Sequence, residues 1–375
     1  MVRLFHKIHL WLSVPFGIII TLICFSGAML VFEPEITRSI RSDVYYVDSS
    51  AREPMSMGTL METVKATLPD SVAITGVTVF ADKDRTYQVN LSKPRRASIF
   101  INQYSGNITG RYERLGFFGT MFRLHRWLLD SADPRGDGLK IGKFIVGLST
   151  VIFVIALISG VVIWWPRVRN GLGRSLSITT KNWRGFWKSL HVAVGMYALV
   201  AVMIMALTGL TWSFDWYRAA FYAVCGVEYT PRNPGEGPAG RNAKIGREGK
   251  NHRHRSEFGH WQQVYDELAA RNPDAPQITI GQEKATVSLG TAGNGRASDT
   301  YLYEYKSGDI TDAVRYADST PADRLRGWIY SIHTGSFGGL ITRTLWFLGA
   351  LLGASLPVTG YYIWLRRLIR RSREA

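Results

Sequence analysis

Four uncharged apolar runs of at least twenty residues divide the chain, at positions 10–32, 144–165, 192–214 and 344–365. Twenty residues of α-helix rise about 30 Å, one hydrocarbon thickness, so each run predicts a transmembrane helix. The first run is too long for a signal-peptide core and lacks a small-x-small cleavage site, so it is expected to be retained. The two long segments between the runs, about 33–143 and 215–343, follow other periods. Each opens into an amphipathic helical stretch, 56–68 and 258–271. Three β-rich runs follow in each, at 72–80, 85–92 and 97–103 and at 276–281, 284–290 and 300–305. Each segment therefore predicts a small α+β module.

The pattern occurs twice. His9 opens the first run and Ser26-Gly27 closes it; His191 opens the third and Thr208-Gly209 closes it, with eighteen residues from histidine to glycine in both. The second and fourth runs carry Ser159-Gly160 with Trp164 and Arg167, and Thr359-Gly360 with Trp364 and Arg367. Ser-Gly-Asn-Ile-Thr at 105–109 and Ser-Gly-Asp-Ile-Thr at 307–311 end the two modules alike. The predicted fold is an α-helical membrane protein with four transmembrane helices in two parallel repeats, plus two small α+β modules. Such repeats imply a pseudo-two-fold axis along the membrane normal and a site between the halves. The expected segments are 1–32 (N-terminus and first span), 33–143 (module and pre-span segment), 144–165 (second span), 166–190 (loop), 191–214 (third span), 215–343 (second module), 344–365 (fourth span) and 366–375 (tail).

Charge orients this arrangement. Of the net +16, thirteen Lys/Arg against one acid lie in 1–9, 166–190 and 366–375. That excess predicts a cytoplasmic location for both termini and the 166–190 loop, with the two modules outside. It also removes the case for a nucleic-acid partner, which would want the charge on an extramembrane domain. The basic stretch 231–256 reads as a solvated loop, or as a lip attracting an anionic ligand, and His252, His254 and His260 near it could bind metal. The two cysteines, Cys24 and Cys225, have no ligand spacing and are expected to pack. Trp11, Trp127, Trp164, Trp165, Trp183, Trp187 and Trp364 read mostly as aromatic-belt anchors.

Candidate chemistry concentrates in four histidines at span ends. His9 and His191 enter spans one and three from one face, and His125 and His333 precede spans two and four on the other. An ionisable group at the edge of a bilayer core points to function, and neutral imidazole is a common axial ligand of haem iron. Two pairs at matched depth predict two haems, each gripped from both sides, with His6 an alternative to His9 on the same helical face. Ser13 and Gly195, one turn further on, leave room for a porphyrin face. Arg3, Lys7 and Lys188 could pair with propionates at one edge, and Arg123, Arg126 and Arg343 at the other. The absence of C-x-x-C-H specifies haem b rather than a covalently attached group. No GxGxxG after a strand and no P-loop occurs, so the electron donor is expected to be separate: a cytoplasmic reductant or a quinol.

Taken together, HxxHLWLS (6–13), LHRWLL (124–129), SGVVIWWPR (159–167), LHVAVG (190–195), IHTGSFGG (332–339) and the SG[ND]IT turns resemble the PepSY-associated transmembrane-helix proteins of bacterial inner membranes. The resemblance covers nearly the whole chain. It implies PepSY-like modules in the periplasm, haem ligation by His9, His125, His191 and His333, and the activity of a ferric-siderophore reductase: a metal-ion oxidoreductase that reduces Fe(III) to Fe(II) and releases it. The ferric siderophore and membrane lipid are the implied partners. Two other functions fit the same residues. One is a quinol-linked cytochrome b with another acceptor; the other is a non-redox protein whose modules bind an envelope ligand while the histidines are structural.

Overall fold

The computed structural model describes residues 2–49, 53–94, 97–130, 141–168, 171–229, 258–290 and 293–374. In chain order the helices are α1 (Val2–Leu30), α2 (Glu33–Ile40), α3 (Ser42–Tyr45), α4 (Met57–Lys65), α5 (Gly116–Trp127), α6 (Ile141–Val168), α7 (Leu172–Leu176), α8 (Trp183–Ser213), α9 (Asp215–Val224), α10 (Trp261–Arg271), α11 (Pro321–Thr334) and α12 (Gly339–Glu374). The strands are β1 (Ile74–Phe80), β2 (Tyr87–Leu91), β3 (Ser98–Ile101), β4 (Ile108–Arg111), β5 (Gln277–Gly281), β6 (Lys284–Ser288), β7 (Ser298–Tyr303) and β8 (Ile310–Val314). They form two units. One is helical, Met1–Glu33, Arg114–Cys225 and Trp328–Ala375; the other, Pro34–Glu113 and Gly226–Gly327, contains the strands. The basic stretch 231–256, with His252 and His254, lies outside the described residues.

Four helices, α1, α6, α8 and α12, are long and apolar enough to cross a membrane. They outrun the apolar runs in the sequence because the helical backbone continues through charged flanks, as α12 does through Arg366, Arg367 and Arg370. Long Lys and Arg side chains can reach the interface from such positions, so a charge ends the run without ending the helix. α1 and α8 each pack on both α6 and α12. Ile20, Phe153, Leu157, Ala198, Val202 and Leu356 fill the space between them.

Small residues set the closeness of this packing, as expected where lipid removes the hydrophobic drive between helices. A Cβ on Gly349 would lie 2.8 Å from the Ala201 methyl, and one on Gly353 2.8 Å from Val202. Cys24 packs against Gly353, the packing role expected of it. Gly17 lies beneath Tyr361, whose hydroxyl donates to the Val14 carbonyl at 2.5 Å.

Two shorter helices carry the other two span-end histidines. α5 lies against α1 and α6 and carries His125; α11 carries His333. α5 ends with Leu128 and Leu129 both left-handed, at φ 50° and 65°. Each non-glycine residue there costs roughly 1–2 kcal/mol of strain. α11 ends instead in Gly335, where the same sign of φ carries no Cβ penalty. Where the chain leaves α1, Glu33 forms a bidentate pair with Arg114 at 2.5 and 2.6 Å, and the Arg114 guanidinium lies 4.2 Å from the Phe122 ring centre. That pair ties the two chain crossings of this unit together.

The two modules expected from the sequence are not separate. Their strands form one eight-stranded antiparallel sheet in the order β4-β3-β2-β1-β5-β6-β7-β8. A lone four-stranded module would leave β1 or β5 as an open edge, and pairing them removes both edges at once. At the seam Gly76 faces Gly281, and the Thr78 and Thr279 hydroxyls bond at 2.9 Å. The core is also common property. Met57, Leu60, Met61 and Val64 of α4 join Trp261, Val264 and Leu268 of α10 against strand residues of both halves, all fully or almost fully buried. The sequence yields three strands per module and the structure four. The fourth in each, β4 and β8, begins inside the Ser-Gly-Asn/Asp-Ile-Thr stretch, which is the turn of a hairpin and not the end of the module.

A Cβ on Gly76 would stand 2.7 Å from the Ile280 carbonyl oxygen, a backbone atom with little freedom to move. Gly76→Val is therefore expected to destabilise the sheet unit by about 1–3 kcal/mol. Amide hydrogen exchange would read this as faster exchange in β1 and β5, with β8 less affected. Unchanged protection of β1 and β5 would contradict the seam.

Candidate functional site: two facing histidine pairs

Each of the four span-end histidines is part-buried, and each is seated by a different helix in the same way. The Nδ1–H of His9 (α1) donates to the Ala156 carbonyl of α6 at 3.0 Å, with Ser159 Oγ at 2.9 Å. The Nδ1–H of His125 (α5) donates to the Ile23 carbonyl of α1 at 2.9 Å. His333 (α11) donates to the Met205 carbonyl of α8 at 3.0 Å, with Thr208 Oγ1 also at 3.0 Å. His191 (α8) approaches Thr359 Oγ1 of α12 at 2.8 Å, beside the Leu356 carbonyl.

The acceptors share one position. In every case the carbonyl belongs to the residue three before the Ser or Thr of a Ser/Thr-Gly dipeptide: Ile23 before Ser26, Ala156 before Ser159, Met205 before Thr208, Leu356 before Thr359. The hydroxyls bond back to their own helices, as Ser26 does to Leu22 and Ile23 and Thr359 does to Ser355 and Leu356. The glycine then leaves room for the ring. The histidine Cε1 would lie 2.8 Å from a Cβ on Gly27, 3.1 Å at Gly209, 3.5 Å at Gly360 and 3.7 Å at Gly160.

These bonds fix the tautomer. A carbonyl only accepts, so Nδ1 carries the proton wherever it meets one. At His191 the Thr359 hydroxyl already donates to the carbonyls of its own helix, so Nδ1 donates there too. Nε2 is left as the free lone pair in all four rings, and no hydrogen bond reaches it among the described residues. An imidazole held this way, with its other nitrogen donating, is an oriented and more basic metal ligand.

The rings meet in two pairs. His9 and His191 have ring centroids 6.3 Å apart with planes at 85°, and His125 and His333 have centroids 6.1 Å apart at 51°. Metal–nitrogen bonds of about 2.0 Å and a nitrogen-to-centre distance of roughly 1.1 Å put two trans imidazoles about 6.2 Å apart, centre to centre. Both pairs match that spacing. No cluster of three or more His, Cys, Asp or Glu suited to a metal occurs among the described residues. A metal at either pair would have two protein ligands and would bring its other ligands with it.

His6 is exposed, with its Nδ1 on the Val2 carbonyl of its own helix at 3.0 Å, so His9 is the ring that meets His191. Arg3, Lys7, Lys188 and Arg123 are exposed, and Arg123 donates to the Leu129 carbonyl. Arg126 stands within electrostatic reach of both His125 and His333 and lies by the rings of Phe122 and Trp127. Arg343 donates to the Val31 carbonyl just past the end of α1 and covers the Phe32 ring, so it serves as a helix cap. Ser13 makes none of the histidine contacts, and a Cβ on Gly195 would touch only Leu356. His260 is paired with Gln263 in the sheet unit.

Two features escaped the sequence reading. Trp212 packs edge-on to His333 with centroids 5.0 Å apart, and no periodicity singles it out from the other tryptophans. The Ser/Thr-Gly dipeptides were visible as repeat markers, but their role as histidine seats was not, although their occurrence once in each of the four spans was the available signal.

A model of the PepSY-associated TM region matches residues 6–367, which takes in both histidine pairs and the sheet unit. No curated protein matches the chain. With four membrane-crossing helices and a family match over nearly its whole length, the chain is a multi-pass membrane protein and belongs to the PepSY-associated TM family.

Proposed function

We propose that this protein is a haem b-containing reductase of the bacterial inner membrane, taking electrons from the cytoplasmic side and delivering them to a ferric siderophore in the periplasm. The observation that carries the proposal is the pair of facing imidazole couples, each with Nδ1 donating to protein and Nε2 free. Two imidazoles without a third protein ligand among the described residues would suit a metal that is carried by a macrocycle. His9 with His191, and His125 with His333, would hold the two groups. Haem supplies one-electron carriage when bound.

The chain's own contribution is orientation and insulation. The four carbonyl acceptors hold each ring in one tautomer, and the apolar helices exclude water between the two pairs. Arg126 offers positive charge beside the outer pair, suited to a propionate. Basic residues 1–9, 166–190 and 366–375 support a cytoplasmic location for the His9–His191 end, so the His125–His333 end faces the periplasm. A siderophore binds hard Fe(III) through oxygen and softer Fe(II) less well, so one added electron opens the complex. The donor is a cytoplasmic reductant or a quinol.

Three outcomes test this. Protein made with ample haem and purified in detergent should give a pyridine haemochrome stoichiometry of about two per chain, and His9→Ala and His191→Ala should each lose the same one. A stoichiometry near zero would end the redox reading. The seats give a graded expectation. Gly27→Ala puts a methyl 2.8 Å from His125 and should lose or perturb the outer haem spectrum, whereas Gly160→Ala, at 3.7 Å from His9, should leave both haems in place. Equal effects of the two would contradict the seat geometry. For the reaction, dithionite-reduced protein freed of excess reductant should be reoxidised anaerobically by a ferric siderophore, with Fe(II) trapped by ferrozine. Reoxidation by a quinone analogue alone would favour the quinol-linked cytochrome.

A further inference from the structure

The sheet unit holds a second candidate site, unconnected with the histidines. β1 and β2 are joined by residues 81–86, whereas the corresponding strands β5 and β6 are joined by 282–283 alone. The longer connection is built as a fixed platform. Gln103, 1% exposed, donates through Nε2 to the carbonyls of Lys83 (2.9 Å) and Arg85 (3.2 Å). The Tyr104 hydroxyl donates to the Lys83 carbonyl, and the Val47 N–H to the Asp84 carbonyl. Thr86 donates from its backbone to Tyr45 and from its side chain to Val44.

On this platform stands the half-buried Arg85. Its guanidinium carbon lies 4.1 Å from the Phe80 ring centre, 5.5 Å from Tyr46 and 5.9 Å from Tyr45. Its Nε is buried with no hydrogen-bond partner, and no carboxylate lies within ion-pair distance of it among the described residues. Arg38 adds a like charge within electrostatic reach, and Arg41 and Arg38 both bear on Tyr45. Arg38 and Arg41 each have a local ion pair, Arg38 with Glu35 at 3.6 Å and Arg41 with Asp43 at 4.0 Å, whereas Arg85 has none among the described residues. Burial, with Arg38 beside it, lowers the Arg85 guanidinium below its ordinary value, so its positive charge is costly where it stands.

A structural arginine stacked on rings would normally have its fork met by a carboxylate or carbonyls. Here Arg38 stands within electrostatic reach of Arg85 and Arg41 bears with them on Tyr45; Asp82 acts on Arg85 from beyond ion-pair distance, and no carboxylate meets the Arg85 fork among the described residues. We propose that Arg85, with Arg38 and Arg41 and an aromatic floor of Phe80, Tyr45 and Tyr46, binds an oxyanion: a carboxylate or phosphate group on a ligand with an apolar or aromatic face. Arginine is suited to this because its planar fork binds such groups bidentately while its face rests on rings.

The test is isothermal titration of the detergent-purified full chain at low salt with benzoate, 2,3-dihydroxybenzoate and inorganic phosphate, and with benzylamine as a cationic control. Saturable binding of at least one anion, none of benzylamine, and weakening as salt rises are expected. Tighter binding of the aryl carboxylates than of phosphate would identify an organic acid as the ligand class; the reverse order would identify a phosphate group. Arg85→Gln should lower affinity at least about tenfold, and Arg85→Lys should recover only part of it, since a point charge cannot replace the fork. Arg38→Gln with Arg41→Gln, which leaves the platform intact, should weaken binding severalfold and flatten its salt dependence. No saturable anion binding, or unchanged affinity in both the Arg85→Gln and the double variant, would overturn the proposal.

Discussion

A neutral imidazole placed among membrane helices must have its N–H accepted by something, because no water is at hand to do it. In a helix nearly every carbonyl is already taken by the amide four residues on. Accepting a second donor at such a carbonyl requires the donor to come in close and from the side. A Ser/Thr-Gly pair meets both needs. The hydroxyl bonds the same turn of backbone and draws that carbonyl into a shared cluster, as Ser159 does at Ala156, and at Gly27 and Gly209 the glycine removes the side chain that would crowd the ring. Everything else about the histidine pairs follows from this contact: the tautomer, the free Nε2 and the spacing of facing rings.

How much of this was legible in the sequence depends on the length over which a signal accumulates. The spans were readable because about twenty successive apolar side chains leave little alternative. The pairs His9 with His191 and His125 with His333 were grouped by the repeat, and the same rings lie together in the fold. The partner helix of each ring was not readable, since Ser26-Gly27 is nearly a hundred residues from His125, the histidine that uses it in space. The fourth strands were missed for the opposite reason. β4 is four residues long and includes Gly110, which lies where a Cβ would meet Val44, so neither alternation nor β-propensity marks it.

The modules show how a short-range reading can be right in its parts and incomplete in its assembly. Helix and strands occur in each half close to where the hydrophobic pattern puts them, at α4 and α10 and at β1 to β3 and β5 to β7. Nothing local states that β1 pairs with β5. Their pairing depends on two glycines facing across the seam and on buried side chains of α4 and α10 that fill one core from both halves. The asymmetry between the 81–86 and 282–283 connections is equally invisible to a repeat-based reading, which looks for what the halves share.

The β1–β5 seam also bears on how the protein is made. Residues 74–80 leave the ribosome about two hundred residues before their partner, and α6 and α8 must enter the membrane in between. Because one sheet takes strands from both stretches, both must emerge on the same side, so the seam is compatible only with an even number of crossings between them. Until the second stretch arrives, β1 is an open edge beside an incomplete core, the kind of surface that pairs with other chains. Biogenesis therefore has a waiting period, which lasts until the third span has been inserted and the rest of the sheet has followed it out.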